Sequence, residues 1–161
     1  ITMKKEYTFK KIIPDEFDKL KPLFGDNEEK WLKYRAGRLE QFEKNDIDVY
    51  VIEYDGAFIG EVSAIYSCHS LPNEAIPNVR AYFEAFRLEK EYQCRGLGQR
   101  LMNYVLDDLK SRGYTEFTIG VEDDNEIAKH IYFKLGFTEA INRGHGNEFD
   151  PCEYTLYLKR N

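Results

Sequence analysis

Leu88-Glu89-Lys90-Glu91-Tyr92-Gln93-Cys94-Arg95-Gly96-Leu97-Gly98-Gln99-Arg100 joins an apolar, strand-like run to an amphipathic one through a turn that holds two glycines. Upstream, residues 79–88 read as a strand. Downstream, Leu97, Leu101, Tyr104/Val105 and Leu109 share one face of a helix over 97–112, closed by Gly113. At such a helix start the first N–H groups lack a partner within the helix and point outward. The helix dipole adds positive potential there. Gly96 and Gly98 remove side chains, so a pyrophosphate can approach those amides closely, and Arg95 and Arg100 add charge. An ordinary strand-to-helix turn with glycine at a tight bend has the same spacing, and a lone Gly-x-Gly does not separate the two readings. A dinucleotide fingerprint fits poorly, because its third glycine would fall on Leu101 and the segment lies mid-chain.

Outward from this turn the chain alternates short strands and helices. Residues 6–12 alternate as a first strand, and Pro14 opens a helix carrying Phe17, Leu20 and Leu23/Phe24. Asp26 or Asn27 caps a second helix over 28–44, with a buried stripe expected at Leu32, Ala36 and Leu39, and Trp31, Tyr34, Arg35 and Arg38 on its other faces. Strands follow at 48–54 and 57–66, joined by the hairpin signal Asp55-Gly56, and residues 67–78 form a loop. Beyond the central helix come a strand at 115–121, a helix with Ala128, Ile131, Tyr132 and Leu135 on one face, and strands at 137–141 and 154–158 separated by a polar loop, 142–151. The order β-α-α-β-β-β-α-β-α-β-β is a single α/β (α+β) domain over residues 3–161, a mixed central sheet of about seven strands with four flanking helices. Ile1-Thr2, ahead of Met3, reads as a cloning scar.

Composition narrows the function classes. The chain has 161 residues, 42 % of them hydrophobic, enough for a full core, which excludes intrinsic disorder. No apolar run approaches the roughly 20 residues of a membrane span. With 23 basic and 29 acidic residues the net charge is −6, without the basic surplus of a nucleic-acid binder. Cys68, Cys94 and Cys152 have neither metal-type nor CxxC spacing. Reduced thiols, no export signal after Lys4-Lys5 and no metal site are expected, with a cytoplasmic location.

Gln93-Cys94-Arg95-Gly96-Leu97-Gly98 resembles the Gln/Arg-x-x-Gly-x-Gly/Ala motif of the GCN5-related N-acetyltransferase (GNAT) superfamily. A second block, Asn125, Ala128, Tyr132 and then Leu135-Gly136-Phe137, is similar to that family's Asn-x-x-Ala-x-x-x-Tyr-x-x-x-Gly-Phe block. The blocks are separated, as in the family, by one helix and one strand. The close match covers residues 84–137, and the element order extends it to the whole chain.

The resemblance implies acetyl-CoA as co-substrate, lying in a split between the fourth and fifth strands. Its pyrophosphate would sit on Cys94, Arg95, Gly96, Leu97, Gly98 and Gln99, its pantetheine arm along the main chain of Phe86, Arg87 and Leu88, with Asn125 on the pantetheine side. Three chemical tasks follow. An amine must lose its proton before attack, and a general base helps. The developing oxyanion needs backbone donors, in the family the amide at Leu88. The leaving thiolate benefits from a proton donor, and Tyr132 occupies the family's general-acid position, although packing in its helix stripe would also explain it. Glu84 lies four residues before Leu88, on the same face of an unbulged strand, and matches a glutamate common in bacterial members; it reads as general base or as an anchor for the substrate amine. Tyr82, in phase with it, and Glu61 and Glu122 are weaker candidates, and His69 and His130 read as surface residues.

The family's ribosomal-protein N-terminal acetyltransferases carry a catalytic glutamate five residues before the block's asparagine, where this chain has Gly120. By the same resemblance, Trp31, Tyr34, Arg35 and Arg38 of the second helix and His145, Glu148 and Asp150 of the last loop line the acceptor pocket. Both signs of charge are present, so cationic amines and amino acids both suit it. The leading expectation is acetyl transfer to a primary amine of a small molecule. The alternatives are acetylation of protein N-termini or lysines, and a non-catalytic acyl-CoA sensor. An edge strand and an exposed last hairpin suit a homodimer.

Overall fold

A computed structural model describes residues 5–147 and 150–161. Its strands are β1 (Thr8–Lys11), β2 (Ile47–Tyr54), β3 (Ala57–Ile65), β4 (Arg80–Leu88), β5 (Glu116–Glu122), β6 (Glu139–Asn147) and β7 (Asp150–Arg160). Its α-helices are α1 (Glu28–Glu43), α2 (Leu97–Ser111) and α3 (Glu126–Lys134). The first expected helix, Pro14–Phe24, is 3₁₀, and Pro22 inside it removes one donor. Hydrogen bonds order the seven strands β1-β2-β3-β4-β5-β7-β6, a mixed sheet in which β4 and β5 run parallel. No helix among the described residues is long and apolar enough to cross a membrane. The chain divides into two compact units, Ile1–Ser63 with Ala85–Asp107, and Ala64–Glu84 with Asp108–Asn161.

In the first unit β2 and β3 meet at Asp55 and Gly56, with φ of 51° and 79°. Both central residues of a type I′ turn need such values. Asn27 caps α1, its Oδ1 accepting from the Lys30 N–H at 3.0 Å. The buried face of α1 differs from the expected one. Leu32 and Ala36 are exposed and Leu39 is half-buried, whereas Trp31 and Arg38 are buried. The reason is aromatic packing: Phe17 stacks on Trp31 and Tyr34 at 5.7 and 5.6 Å, and Phe24 meets the same two rings at 5.2 and 4.7 Å. Rings bury more area than the aliphatic stripe and so turn the helix. Arg38 follows inward because its guanidinium lies 4.7 Å from the Tyr34 ring centre and donates to Gln41 Oε1 at 2.8 Å.

In the second unit Phe83 stacks on Phe117 at 5.8 Å and meets Phe137 edge-on at 6.0 Å. Glu74, fully buried, holds the preceding loop by accepting the His69 and Ser70 N–H groups at 2.8 and 3.0 Å. The expected stripe of α3 is only partly buried: Tyr132 and Leu135 are half-buried and Ile131 is exposed. This helix is held at its ends. Asn125 Oδ1 accepts from the Ala128 N–H at 3.0 Å, and Gly136, at φ 98°, donates to Phe133 O at 3.0 Å.

The expected polar loop over 142–151 is instead mostly strand. β6 pairs antiparallel with β7, Arg143 opposite Thr155, Gly144 opposite Tyr154 and His145 opposite Glu153. Tyr154 explains why small residues serve there. A Cβ on Gly144 would stand 2.6 Å from Tyr154 Cζ, and one on Gly120 would stand 3.0 Å from its Cδ2. Gly144→Ala is therefore expected to destabilise by about 1–3 kcal/mol in urea unfolding, the usual cost of overpacking. Gly37→Ala, within α1 where a Cβ meets nothing within 4 Å, is expected to stabilise by about 0.5–1 kcal/mol in the same measurement.

Candidate functional site

In the first unit, the turn between β4 and α2 is built as a concavity of main-chain donors. The Glu89 N–H donates to Ile59 O at 2.8 Å, and Lys90–Tyr92 form a 3₁₀ turn. Cys94 and Gly96 then adopt φ of 63° and 76°, with α2 starting at Leu97. Left-handed residues at the mouth of a helix turn successive N–H groups toward one point, an arrangement that binds anions. The first bond closing on this turn is Arg100 N–H to Gly96 O at 3.1 Å. Leu97 is buried, so it offers only its amide, while Cys94, Arg95, Gly96 and Gln99 are exposed. Gly98 is set by a close approach, since a Cβ there would lie 3.2 Å from Phe86 Cζ. Two guanidinium groups flank the concavity. Arg95 lies 5.6 Å from the Tyr92 ring centre and donates to Tyr7 Oη at 3.3 Å, and Arg100 lies 4.9 Å from the Phe9 ring centre. Donors, dipole and cations together fit a pyrophosphate.

At Gly96 a side chain would meet nothing within 4 Å, so the constraint is conformational. An alanine in the left-handed region costs about 1–2 kcal/mol. If the turn relaxes to avoid that cost the concavity opens, and Gly96→Ala is expected to raise the Kd for coenzyme A about tenfold by calorimetry.

The end of β4 is irregular. Ala85 has φ 57°, which interrupts the two-residue alternation between Glu84 and Leu88. The expectation that those two residues share a face rested on an unbulged strand and is corrected here. The β4–β5 ladder runs from Arg80 opposite Glu116 to Phe83 opposite Ile119, and so ends just before the bulge. Beyond it, Phe86 packs at Gly98, and the Arg87 guanidinium lies 4.1 Å from the Phe24 ring centre and 5.2 Å from that of Tyr34. Gln93 Nε2 donates to Leu88 O at 2.9 Å and ties the start of the turn to the strand end. An open cleft of ≈530 Å³ lies here, with Pro22, Leu23 and Gly25 on one wall and residues 87–91 on the other.

Behind this cleft wall sits a buried polar cluster. Tyr34 Oη donates to Glu61 Oε1 in a short hydrogen bond. Glu61 Oε2 is buried with no hydrogen-bond partner among the described residues. Burial pushes the Glu61 carboxyl up, against the opposing charges of Arg87 and Arg38, and burial also raises the Tyr34 phenol. The four acceptor-side residues expected in α1 are therefore already engaged. Trp31 is 3 % exposed in the core, Tyr34 holds Glu61, Arg38 holds Gln41, and Arg35 pairs with Asp18 at 2.5 Å.

In the second unit, Tyr132 meets Phe137 edge-on at 6.3 Å, and burial pushes its phenol up to about 12. Asn125 spends its oxygen on capping α3, leaving its amide N–H₂ without a partner among the described residues. Glu84 and Glu122 are half-buried, and the Glu84 charge helps raise the Tyr154 phenol. Tyr82 is 6 % exposed. His145 lies on β6 rather than in a loop, exposed and hydrogen-bonded through Nδ1 to Glu153 Oε1 at 2.5 Å. His69 and His130 are exposed, Glu148 lies outside the described residues, and so does the side chain of Asp150. Among the described residues, no group of three His, Cys, Asp or Glu side chains is arranged to hold a metal ion.

The model of the Acetyltransferase (GNAT) family matches residues 12–137. The chain belongs to this family. N-alpha-acetyltransferase 30 of Schizosaccharomyces pombe is 35 % identical over 81 residues, which are 49 % of this chain and 54 % of that protein. The [ribosomal protein bS18]-alanine N-acetyltransferase of Salmonella typhimurium is 36 % identical over 56 residues, 35 % of this chain and 38 % of that one. The chain thus spans about half or less of the length of these curated relatives. Among solved structures, the PaiA N-acetyltransferase of Thermoplasma acidophilum, in complex with coenzyme A, superposes with a TM-score of 0.67 over 97 % of this chain and 99 % of that one. At 16 % identity that likeness shows the GNAT fold alone.

The glycines of the GNAT motif mark the concavity in the sequence. The side chain of Arg87, which lies in an apolar run, and Gln93's tie to Leu88 are visible only in the structure. The one sequence signal for that tie is an amide side chain at the first position of the motif.

Proposed function

We propose that this chain is an acetyl-CoA-dependent N-acetyltransferase acting on a primary amine of a small molecule by direct attack on the thioester. The observation that carries this is the concavity at Cys94 and Gly96, two left-handed residues opening directly into α2 within the family's first motif. A CoA-bound structure with the same fold supports it. When bound, acetyl-CoA supplies an activated acyl carbon and a thiolate leaving group. Cys94, Arg95, Gly96, Leu97, Gly98 and Gln99 hold the pyrophosphate, largely through main-chain N–H groups. The main chain of Phe86, Arg87 and Leu88 lines up the pantetheine arm, and Asn125 offers its free amide donors to it. The Leu88 amide donates to the developing oxyanion. Glu84 takes the proton of the attacking amine, directly or through a water. As the new C–N bond forms and the C–S bond breaks, Tyr132 gives its proton to the departing sulfur. Burial raises the phenol to about 12, so it stays neutral at every working pH and keeps an O–H to offer the departing sulfur.

A second reading, acetylation of protein N-termini, is favoured by the names of the relatives above. Against it stands Gly120, which puts no carboxylate at this position and where a Cβ would lie only 3.0 Å from Tyr154 Cδ2. Thiol release from acetyl-CoA, followed across small amines, aminoglycosides and peptides, tests both. Turnover on a small amine is expected. Turnover confined to peptides would establish the second reading. Tight CoA binding without turnover on any acceptor would point to a sensor, and absence of CoA binding would overturn the proposal.

A further inference from the structure

We propose that the Arg87 guanidinium anchors a carboxylate of the acceptor, so that the cleft takes zwitterionic acceptors of the amino-acid class. The inference rests on the acetyltransferase reading and names its substrate class. Arg87 lines the ≈530 Å³ cleft. Its guanidinium lies over Phe24 and near Tyr34, at 4.1 and 5.2 Å from the ring centres. A guanidinium held on aromatic rings is fixed in place while its N–H edge stays available for a bidentate acceptor.

That edge is empty. Among the described residues no hydrogen bond or ion pair engages the Arg87 guanidinium, whereas Arg35, Arg80, Arg143 and Arg160 hold Asp18, Glu116, Asp123 and Glu139. The nearby Glu61 does not take the place of such a partner. One of its oxygens is held by Tyr34, and burial drives its carboxyl toward the neutral form. The opposite sign is supplied at the same cleft by Glu89 and Glu91. Burial and the Glu91 charge raise the Glu89 carboxyl, a like-charge pair that an ammonium group would relieve. Lys90, also on this wall, adds to the cationic side. One cleft therefore presents a fixed cation and a pair of carboxylates, the complement of a molecule carrying both an amine and a carboxylate.

Two readouts test this, one of which needs no turnover. Thiol release from acetyl-CoA is measured with the common L-amino acids and with their α-amides, which keep the amine and lose the anion. Thermal shift of the CoA-bound protein is measured with the same compounds. The wild type is expected to favour at least one acid over its amide by about 10–100-fold in kcat/KM, and Arg87→Gln is expected to erase that preference through KM. Arg87→Lys, which keeps the charge and loses the fork, should recover it in part. Equal use of acids and amides, a preference unchanged in Arg87→Gln, or no thermal shift with any acid overturns the inference. Turnover of amines without a carboxylate would then leave the acetyltransferase reading standing. Acids that bind through Arg87 with no thiol released would likewise overturn the inference, since the bound acid would then not be the acceptor, and acetyl transfer to other amines would be judged by the wider panel.

Discussion

Tyr132→Phe is expected to lower kcat for acetyl transfer by about 10²–10⁴-fold, the range that a positioned proton donor contributes. Loss of the hydroxyl leaves the ring to pack on Phe137, so CoA affinity and far-UV circular dichroism should stay close to wild type. The pH profile carries further information. Burial raises the phenol to about 12, which favours its neutral form in the folded chain. Activity should therefore show no falling limb from this group below pH ~11, and the rising limb at lower pH belongs to deprotonation of the amine or its base. The stability linkage has the same sign. An unfolded tyrosine titrates near 10, so the contribution of Tyr132 is complete below that value and is lost as pH rises through about 12. A kcat within threefold of wild type would assign Tyr132 to packing and remove it from the mechanism.

Glu61→Ala is expected to cost about 3–5 kcal/mol in urea unfolding, the usual result of removing one member of a buried polar cluster. The substitution opens a cavity at β3, strips Tyr34 of its acceptor and removes the buried carboxyl on which the Arg87 and Arg38 charges act. Glu61→Gln keeps an acceptor for Tyr34 at nearly the same volume, and should cost less than half as much. Because burial raises the Glu61 pKa, its contribution to stability is complete below the unfolded value near 4.5 and declines as pH rises through the folded one. Glu61→Gln should remove that decline, which the difference between wild type and variant across pH 4–9 would show. An unchanged midpoint for Glu61→Ala would mean that the cluster does not support the fold.

What the sequence displayed, and what it concealed, follows from which residues carry a one-body preference. Gly96 stands out because few other residues tolerate the backbone it occupies, Gly98 is small because Phe86 packs against it, and Asn27, Asn125 and Gly136 mark helix ends by their own chemistry. The core face of α1 was hidden because Trp31, Tyr34 and Arg38 count as mixed or polar by type, while their burial depends on Phe17 and Phe24 from another segment. Strand β6 was hidden because Asn142, Gly144 and Gly146 read as loop formers; only pairing with β7 and the Tyr154 ring makes them strand. The spacing of the two blocks marks the turn, and Tyr132 has its candidate role there only through the family resemblance. Arg87 stands in the sequence as a main-chain position alone, since its apolar neighbours give no hint of a cleft.

Ala85 has a wider consequence. Its φ of 57° sets the phase of the three residues that follow, sending Phe86 toward α2 and Arg87 toward the rings of Phe24 and Tyr34. Gaining one residue at this point would turn all three over and put the Phe86 ring where the guanidinium now stands, and losing one would put Leu88 there. In a lineage of such proteins, a change of acceptor need not proceed by successive replacements in the cleft. A single-codon deletion or insertion at the bulge would invert the strand end in one step, making chain length at this place a lever on specificity.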